Sequence, residues 1–224
     1  MVAICASPIK ARVMRIIRLN ECGVPVSGTG SLIVSKGFVS IEAAPEYEDG
    51  EEFLIKNANG ETCVNEKDAN TLKRVGLTMN FCQVDPDMVA IVAGERVLTT
   101  GSPTATGTGV AFGEGLLTAR FSLEVWQPLA GQGACGASGN PLFIYWAFPN
   151  VGNAKIGNFT FENAPLTFQM TADTKAAAAQ WGDGPTAPSY LPGALQTDEH
   201  FAFNISDVAP PTPTGCGATS LTLG

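Results

Sequence analysis

The chain has 224 residues and a formal net charge of −8, and charged residues make up only 15% of it, where about 25% is usual for a soluble domain. Such a length buries a real core in one large domain or two small ones, and the charge deficit fits either a surface partly covered by protein or one merely rich in Gly, Thr and Ser. The 13 basic residues, none beyond Lys175, argue against tight binding to phosphates, but they allow an acidic wall past which nucleic acid slides.

The opening MVAICASPIKAR lacks the basic segment and long apolar run of a signal peptide. No later run approaches the roughly 18 apolar residues that span a bilayer. Expression in a cytoplasm is therefore expected, and so are free or buried thiols at Cys5, Cys22, Cys63, Cys82, Cys135 and Cys216.

In chain order, RVMRIIRL at 12–19 is a basic, strand-like opening closed by a turn at Glu21-Cys22-Gly23. SLIVSKGFVSIEAA at 31–44 reads as a strand broken at Lys36-Gly37. EEFLIKNANGETCVNE then gives two short strands joined through Asn59-Gly60, a strong hairpin signal. Between 42 and 68 lie nine acids (Glu42, Glu46, Glu48, Asp49, Glu51, Glu52, Glu61, Glu66 and Asp68) against Lys56 and Lys67. That acidic stretch is either a solvated face or a partner for the basic start of a neighbouring copy, through Arg12, Arg15 and Arg18.

LKRVGLTMNFCQ at 72–83 sets Val75, Leu77, Met79 and Phe81 on one strand face. VDPDMVAIVAG predicts a helix with Asp85 as N-cap, Pro86 at the first helical position, Asp87 in the first turn and Gly94 as terminator. Its residues are mostly apolar, so it should lie in a groove against a sheet. Further strands are expected at 96–100, 117–128 and 141–148. NFTFENAPLTFQMTADT at 158–174 reads as a pair of strands, and Phe201, Phe203 and Ile205 share a face at 200–206. KAAAAQW at 175–181 allows a second short helix. TGSPTATGTG at 100–109 and the stretch 182–199 resist regular structure. DVAPPTPTGCGATSLTLG at the end reads as an extended arm.

Reactive groups are sparse. His200 is the one histidine, and Asp198, Glu199 and His200 alternate faces, so they do not converge on a metal. Cys135 and Ser138 in ACGASGNP lack nucleophile-elbow spacing, and either would have to share His200. The glycines at 107, 109, 113 and 115 do not follow a strand-turn-helix path, so no phosphate loop is present. The sequons at Asn158 and Asn204 fall inside expected strands. No catalytic, cofactor-binding or metal residue is assigned, and no enzyme activity is expected.

RVMRIIRLNECGVPVSG, GFVSIEAAPEYEDGEEFLIKNANGETCVNE, LTMNFCQVDPDMVAIVAG and IGNFTFENAPLTFQMTADT, in that order, resemble the major tail tube proteins of long-tailed, non-contractile bacteriophages, in particular those of actinobacterial phages. The similarity extends to the Pro-rich ending. It implies a single domain over 1–224 with a β-sandwich or partial-barrel fold and one packing helix at 85–94. Residues 1–20 would form an N-terminal arm and first strand, 42–71 a long loop, and 208–224 a C-terminal arm. The resemblance further implies hexameric rings that stack into a tube of the virion tail, assembled in the host cytoplasm. Sheets of neighbouring subunits would join edge to edge, and DNA would pass through the lumen without specific binding. It implies no cofactor and no membrane. The expected partners are the chain itself, a tape measure protein in the lumen, and tail terminator and distal tail proteins at the ends. Two other readings compete: a capsid decoration or adhesion module that binds an external ligand, and a hydrolase built on Cys135 or Ser138 with His200.

Overall fold

The computed structural model describes residues 7–101, 106–131, 134–136, 139–159, 161, 163, 167–177 and 191–221. In chain order the strands are β1 (Ser7–Pro8), β2 (Val13–Leu19), β3 (Gly28–Ser35), β4 (Phe38–Glu48), β5 (Glu52–Lys56), β6 (Thr62–Lys67) and β7 (Thr71–Phe81). The helix α1 (Pro86–Ala93) follows, then β8 (Arg96–Thr100), β9 (Thr106–Ala111), β10 (Arg120–Ala130), β11 (Phe143–Ile156), β12 (Phe168–Thr174), β13 (Ala202–Ser206) and β14 (Thr219–Leu221). Among the described residues no helix is long and apolar enough to cross a membrane.

Ten strands make one antiparallel sheet in the order β14-β3-β2-β10-β11-β12-β7-β4. β1 pairs with the end of β10 beyond β2, while β12 and β13 divide the outer edge of β11 between them. β11 can serve two partners because it is 14 residues long, Phe143–Ala147 pairing with β13 and Val151–Ile156 with β12; its register with β12 shifts between Gly152 and Lys155, where Asn153 has a φ of 53°.

The sheet folds over α1. Asp85 caps the helix by accepting the Asp87 N–H (3.0 Å), Pro86 starts it, and Gly94 ends it in the left-handed region at φ 76°. Met88, Val89, Ile91 and Val92 meet Met14 and Ile16 of β2, Val75, Leu77, Met79 and Phe81 of β7, and Phe121 and Leu123 of β10 in one core. β7 and β10 are not neighbours in the sheet, so their sharing a core means the sheet has closed into a sandwich, a partial barrel around the helix. Each large side chain removed from water here contributes about 1.5–3 kcal/mol. Among the described residues the fold is mainly β with one helix, as the sequence patterns predict.

β2, β10 and β11 are covered on their other face too. There Val13 and Ile17, Trp126, and Tyr145 and Ala147 pack with Ala177, Leu191, Leu195 and Leu221. A charged group sits in this second core. Glu124 is fully buried, receives two hydrogen bonds from the Arg15 guanidinium (Nη2 to Oε1, 2.8 Å; Nε to Oε2), and accepts the Tyr145 hydroxyl at 2.7 Å. Arg15 also lies 5.5 Å from the Trp126 ring centroid.

Several expectations are corrected. The opening forms its expected first strand at Val13–Leu19, inside the sheet, and its described residues 7–12 do not reach out as an arm, since β1 and the Ile9 and Arg12 N–H groups bind β10. The C-terminal stretch is not a loose arm either. Thr214 donates its backbone N–H to the Val34 carbonyl (2.9 Å) and accepts the Val34 N–H on its hydroxyl oxygen (3.3 Å), Gly217 and Ala218 donate their N–H groups to Asp85 (2.6 Å) and Asp87 (2.9 Å), and β14 pairs with β3. Pro and Gly stop a chain from making its own ladder, but they do not stop its remaining N–H groups from finding fixed carboxylates. Of the stretch 100–109, Thr100 and residues 106–109 belong to the paired strands β8 and β9, and 102–105 lie outside the described residues. Of the two strands expected at 158–174 only the second forms: the described residues 157–159, 161 and 163 lie outside any strand, and Phe161 is 84% exposed. Residues 175–177 are not helical, and 178–181 lie outside the described residues.

Asp85 both caps α1 and holds the C-terminal segment. Asp85→Ala should destabilise the fold by about 1–3 kcal/mol, measured by urea unfolding. Limited proteolysis should release the segment after Asp207 sooner than in the wild type.

Candidate assembly surface

β4 and β7 run antiparallel from Phe38 opposite Phe81 to Glu48 opposite Thr71. At their far end the hairpin kinks and continues as β5–β6. The kink depends on Gly50, where a Cβ would fall 2.0 Å from the Asp68 carbonyl oxygen. Asn70 pins it, accepting the Gly50 N–H at 3.1 Å and donating to Asp49 Oδ1 at 2.9 Å. The tip is closed by Asn57, whose side-chain oxygen accepts the N–H groups of Asn59 and Glu61, with Gly60 at φ 82°.

Every residue from 51 to 71 is exposed. At about 3.3 Å per residue the β5–β6 extension reaches roughly 20 Å past the kink. Ile55 pairs with Val64, and Phe53 lies two residues from Ile55, so the three share a face. They are 45% (Phe53), 57% (Ile55) and 38% (Val64) exposed. A hairpin carrying the acids noted in the sequence thus presents an apolar face to water. The expected hairpin forms, and Glu42, Glu46, Glu48, Glu52 and Glu66 lie in strands while Asp49, Glu51, Glu61 and Asp68 lie in the connections between them.

β4 is the last strand of the sheet, and no other described strand pairs with its outer edge. Its 11 residues include Glu42, Glu46 and Glu48 and no base. Glu46 is tied to Arg74 at 2.8 Å, with Asp173 at 3.9 Å. The Glu46 hydrogen bond first, then the Asp173 charge, hold the Arg74 guanidinium above its ordinary range. Ile41, Ala43 and Pro45 on the inner side of β4 overhang Val125, Trp146, Phe148 and Phe201. Between them lies an open groove of about 750 Å³. It is the seam at which the barrel fails to close, between β4 and the segment Lys10–Ala11.

The remaining sequence candidates are dispersed. The His200 ring is buried and faces the Thr174 hydroxyl, Nδ1 to Oγ1 2.9 Å. Thr174 accepts the Val75 N–H at 2.8 Å and pairs its hydroxyl with His200 Nδ1, tying the ring to β7 through β12. Burial keeps its pKa below the ordinary imidazole value. Glu199 accepts the Gln196 N–H at 2.7 Å instead of joining His200. No cluster of three or more His, Cys, Asp or Glu able to hold a metal occurs among the described residues. Cys135 is exposed in a loop bridged to Pro141, and Ser138 lies outside the described residues. Cys22, Cys63, Cys82 and Cys216 are free and exposed. Of the three arginines expected to meet acids on another copy, Arg15 is excluded, being committed to Glu124. Arg12 and Arg18 stay exposed and make no ion pair among the described residues.

No protein-family model matches the chain, and no curated protein does.

Sequence reading missed the groove and the Arg15–Glu124 pair. The apolar residues of the groove carry the same alternation as core residues, and a register pairing of strands 109 positions apart leaves no local signal.

Two predictions follow from these groups. Arg15→Met leaves Glu124 buried without its cation and should cost about 3–5 kcal/mol in chemical unfolding, while Arg15→Met with Glu124→Leu regains part of the loss. His200 titrates below its unfolded value, near 6.5, so its contribution is full above that pH and is lost as pH falls through the folded value. The wild-type urea midpoint should therefore fall faster between about pH 7 and pH 5 than that of His200→Asn, whose Oδ1 can still accept from Thr174.

Proposed function

We propose that the chain is a structural subunit that assembles with copies of itself, and that its assembly is the stacked-ring tail tube of a long-tailed phage. The observation that carries this reading is the unpaired outer edge of β4, 11 residues long, in a sheet that has almost closed but not quite. An exposed edge of that length is a template for another strand unless it is blocked.

The charge on the edge says which kind of partner fits. Two β4 edges would bring Glu42, Glu46 and Glu48 of each copy together, and like charges facing across strands are unfavourable. The partner surface must then differ from β4. A contact between two different surfaces repeats without a two-fold axis, and it gives rings when the rotation closes and tubes when it advances. The order of the four sequence blocks that resemble tail tube proteins points the same way. Net charge −8 suits a conduit, since like charge keeps DNA from adhering to the wall.

Negative-stain microscopy of purified protein at high concentration should show rings or tubes. A monodisperse monomer that persists through long incubation at several salt concentrations overturns the reading. Mobility-shift assays with duplex DNA at physiological salt should show no retained complex, because a wall that gripped phosphates would impede transit.

A further inference from the structure

Strands β2 and β11 carry apolar side chains into both cores. On β2, Met14 and Ile16 join the core around α1, while Val13, Ile17 and Leu19 join the second core. β11 divides in the same way, with Phe148, Val151 and Ala154 on the helix side and Tyr145 and Ala147 on the other. A strand that alternates apolar and polar residues fixes its own register, because a slip of one residue turns its apolar set to water. Slipping β2 by one residue against β10 exchanges one apolar set for another, so hydrophobic burial discriminates weakly between these alignments. Arg18, near the end of β2, is exposed, which leaves Arg15 as the charged group that β2 carries into the interior.

Glu124, by contrast, responds sharply to alignment. It is fully buried, stands opposite Arg15 on β2 and opposite Ala147 on β11, and Tyr145 lies two residues from Ala147 on the same face. The Arg15 guanidinium and the Tyr145 hydroxyl both donate to its carboxylate, so one group is answered from both neighbouring strands. A one-residue slip of β2 would turn Arg15 into the helix-side core opposite Leu123 or Val125. A two-residue slip would set Val13 or Ile17 opposite Glu124. Either leaves a buried charge without its partner. We infer that Glu124, read by Arg15 on one side and Tyr145 on the other, is the register key of the sheet: it selects one strand alignment among several of similar apolar burial, and adds little to stability beyond what apolar groups of the same size would supply. This holds whether or not copies of the chain assemble.

The test uses two variants of the full chain. Arg15→Met with Glu124→Leu and Tyr145→Phe removes the polar groups of the cluster and keeps its apolar bulk. Arg15→Lys keeps the cation. Isotope-labelled protein is compared by solution or magic-angle-spinning NMR, according to particle size. Wild type and Arg15→Lys should each give one set of backbone signals for β2 and β10, with proton contacts between residues 15 and 124 and between residues 17 and 122. The apolar variant should keep the wild-type circular dichroism spectrum. It should also give a second set of signals for these strands at about a tenth or more of the main intensity, with contacts of a slipped register, 17 to 124 or 15 to 123.

An apolar variant with a single set of signals and the wild-type contacts overturns the inference, since packing alone then sets the register. One that fails to fold overturns it too, since the cluster then serves stability and not selection. A second register in the wild type, or in Arg15→Lys where the cation is still present, does the same.

Discussion

Strands β2, β10 and β11 are buried on both faces, so the sheet they form needs a cover on each side, and the rest of the molecule supplies the two covers. On one side the chain folds the same sheet back through β12, β7 and β4 and plugs the angle with α1. On the other side it lays the segments around Ala177, Leu191 and Leu195 and the end of β14. Antiparallel sheets often leave one face to water, and a sheet that does not is committed to closure. The buried Glu124 carboxylate is tolerable in such a place only because Arg15 on the paired strand and Tyr145 on the next reach it.

Closure stops short at β4, and that shortfall separates the part of the molecule that stabilises the subunit from the part available to others. Inner residues of β7 are buried, but β4 one strand further out is exposed along most of its length. At the opposite end of the sheet β3 has its outer edge taken by Thr214 and β14, anchored through Asp85 and Asp87. Among the described strands one margin ends in the three-residue β14 and the other in the 11-residue β4. An asymmetry of this kind favours a directional contact over a symmetric pair.

The capping residues of α1 show how one group serves two scales. Asp85 and Asp87 are placed by local helix chemistry, since carboxylates at an N-terminus answer its free N–H groups and its dipole. Their second oxygens remain available, and the C-terminal segment, which has few ladder partners of its own, uses them. A local signal therefore fixes a contact spanning more than 130 positions.

The sequence by itself determined the elements whose rules are local. Helix α1 with both caps, the apolar face of β7, the break at Lys36-Gly37 and the Asn57–Gly60 tip are written in adjacent residues, because capping, alternation and turn chemistry act over a few positions. Only the tertiary structure decided which apolar faces would find a cover. Phe53 and Phe81 both sit in alternating runs, yet one is half exposed and the other fully buried. It also decided that Arg15 belongs to Glu124 and not to a neighbouring copy, and that the Pro-rich ending is pinned to α1. Pairings between distant strands depend on which surfaces remain after the sheet has folded, and no short stretch of residues contains that information.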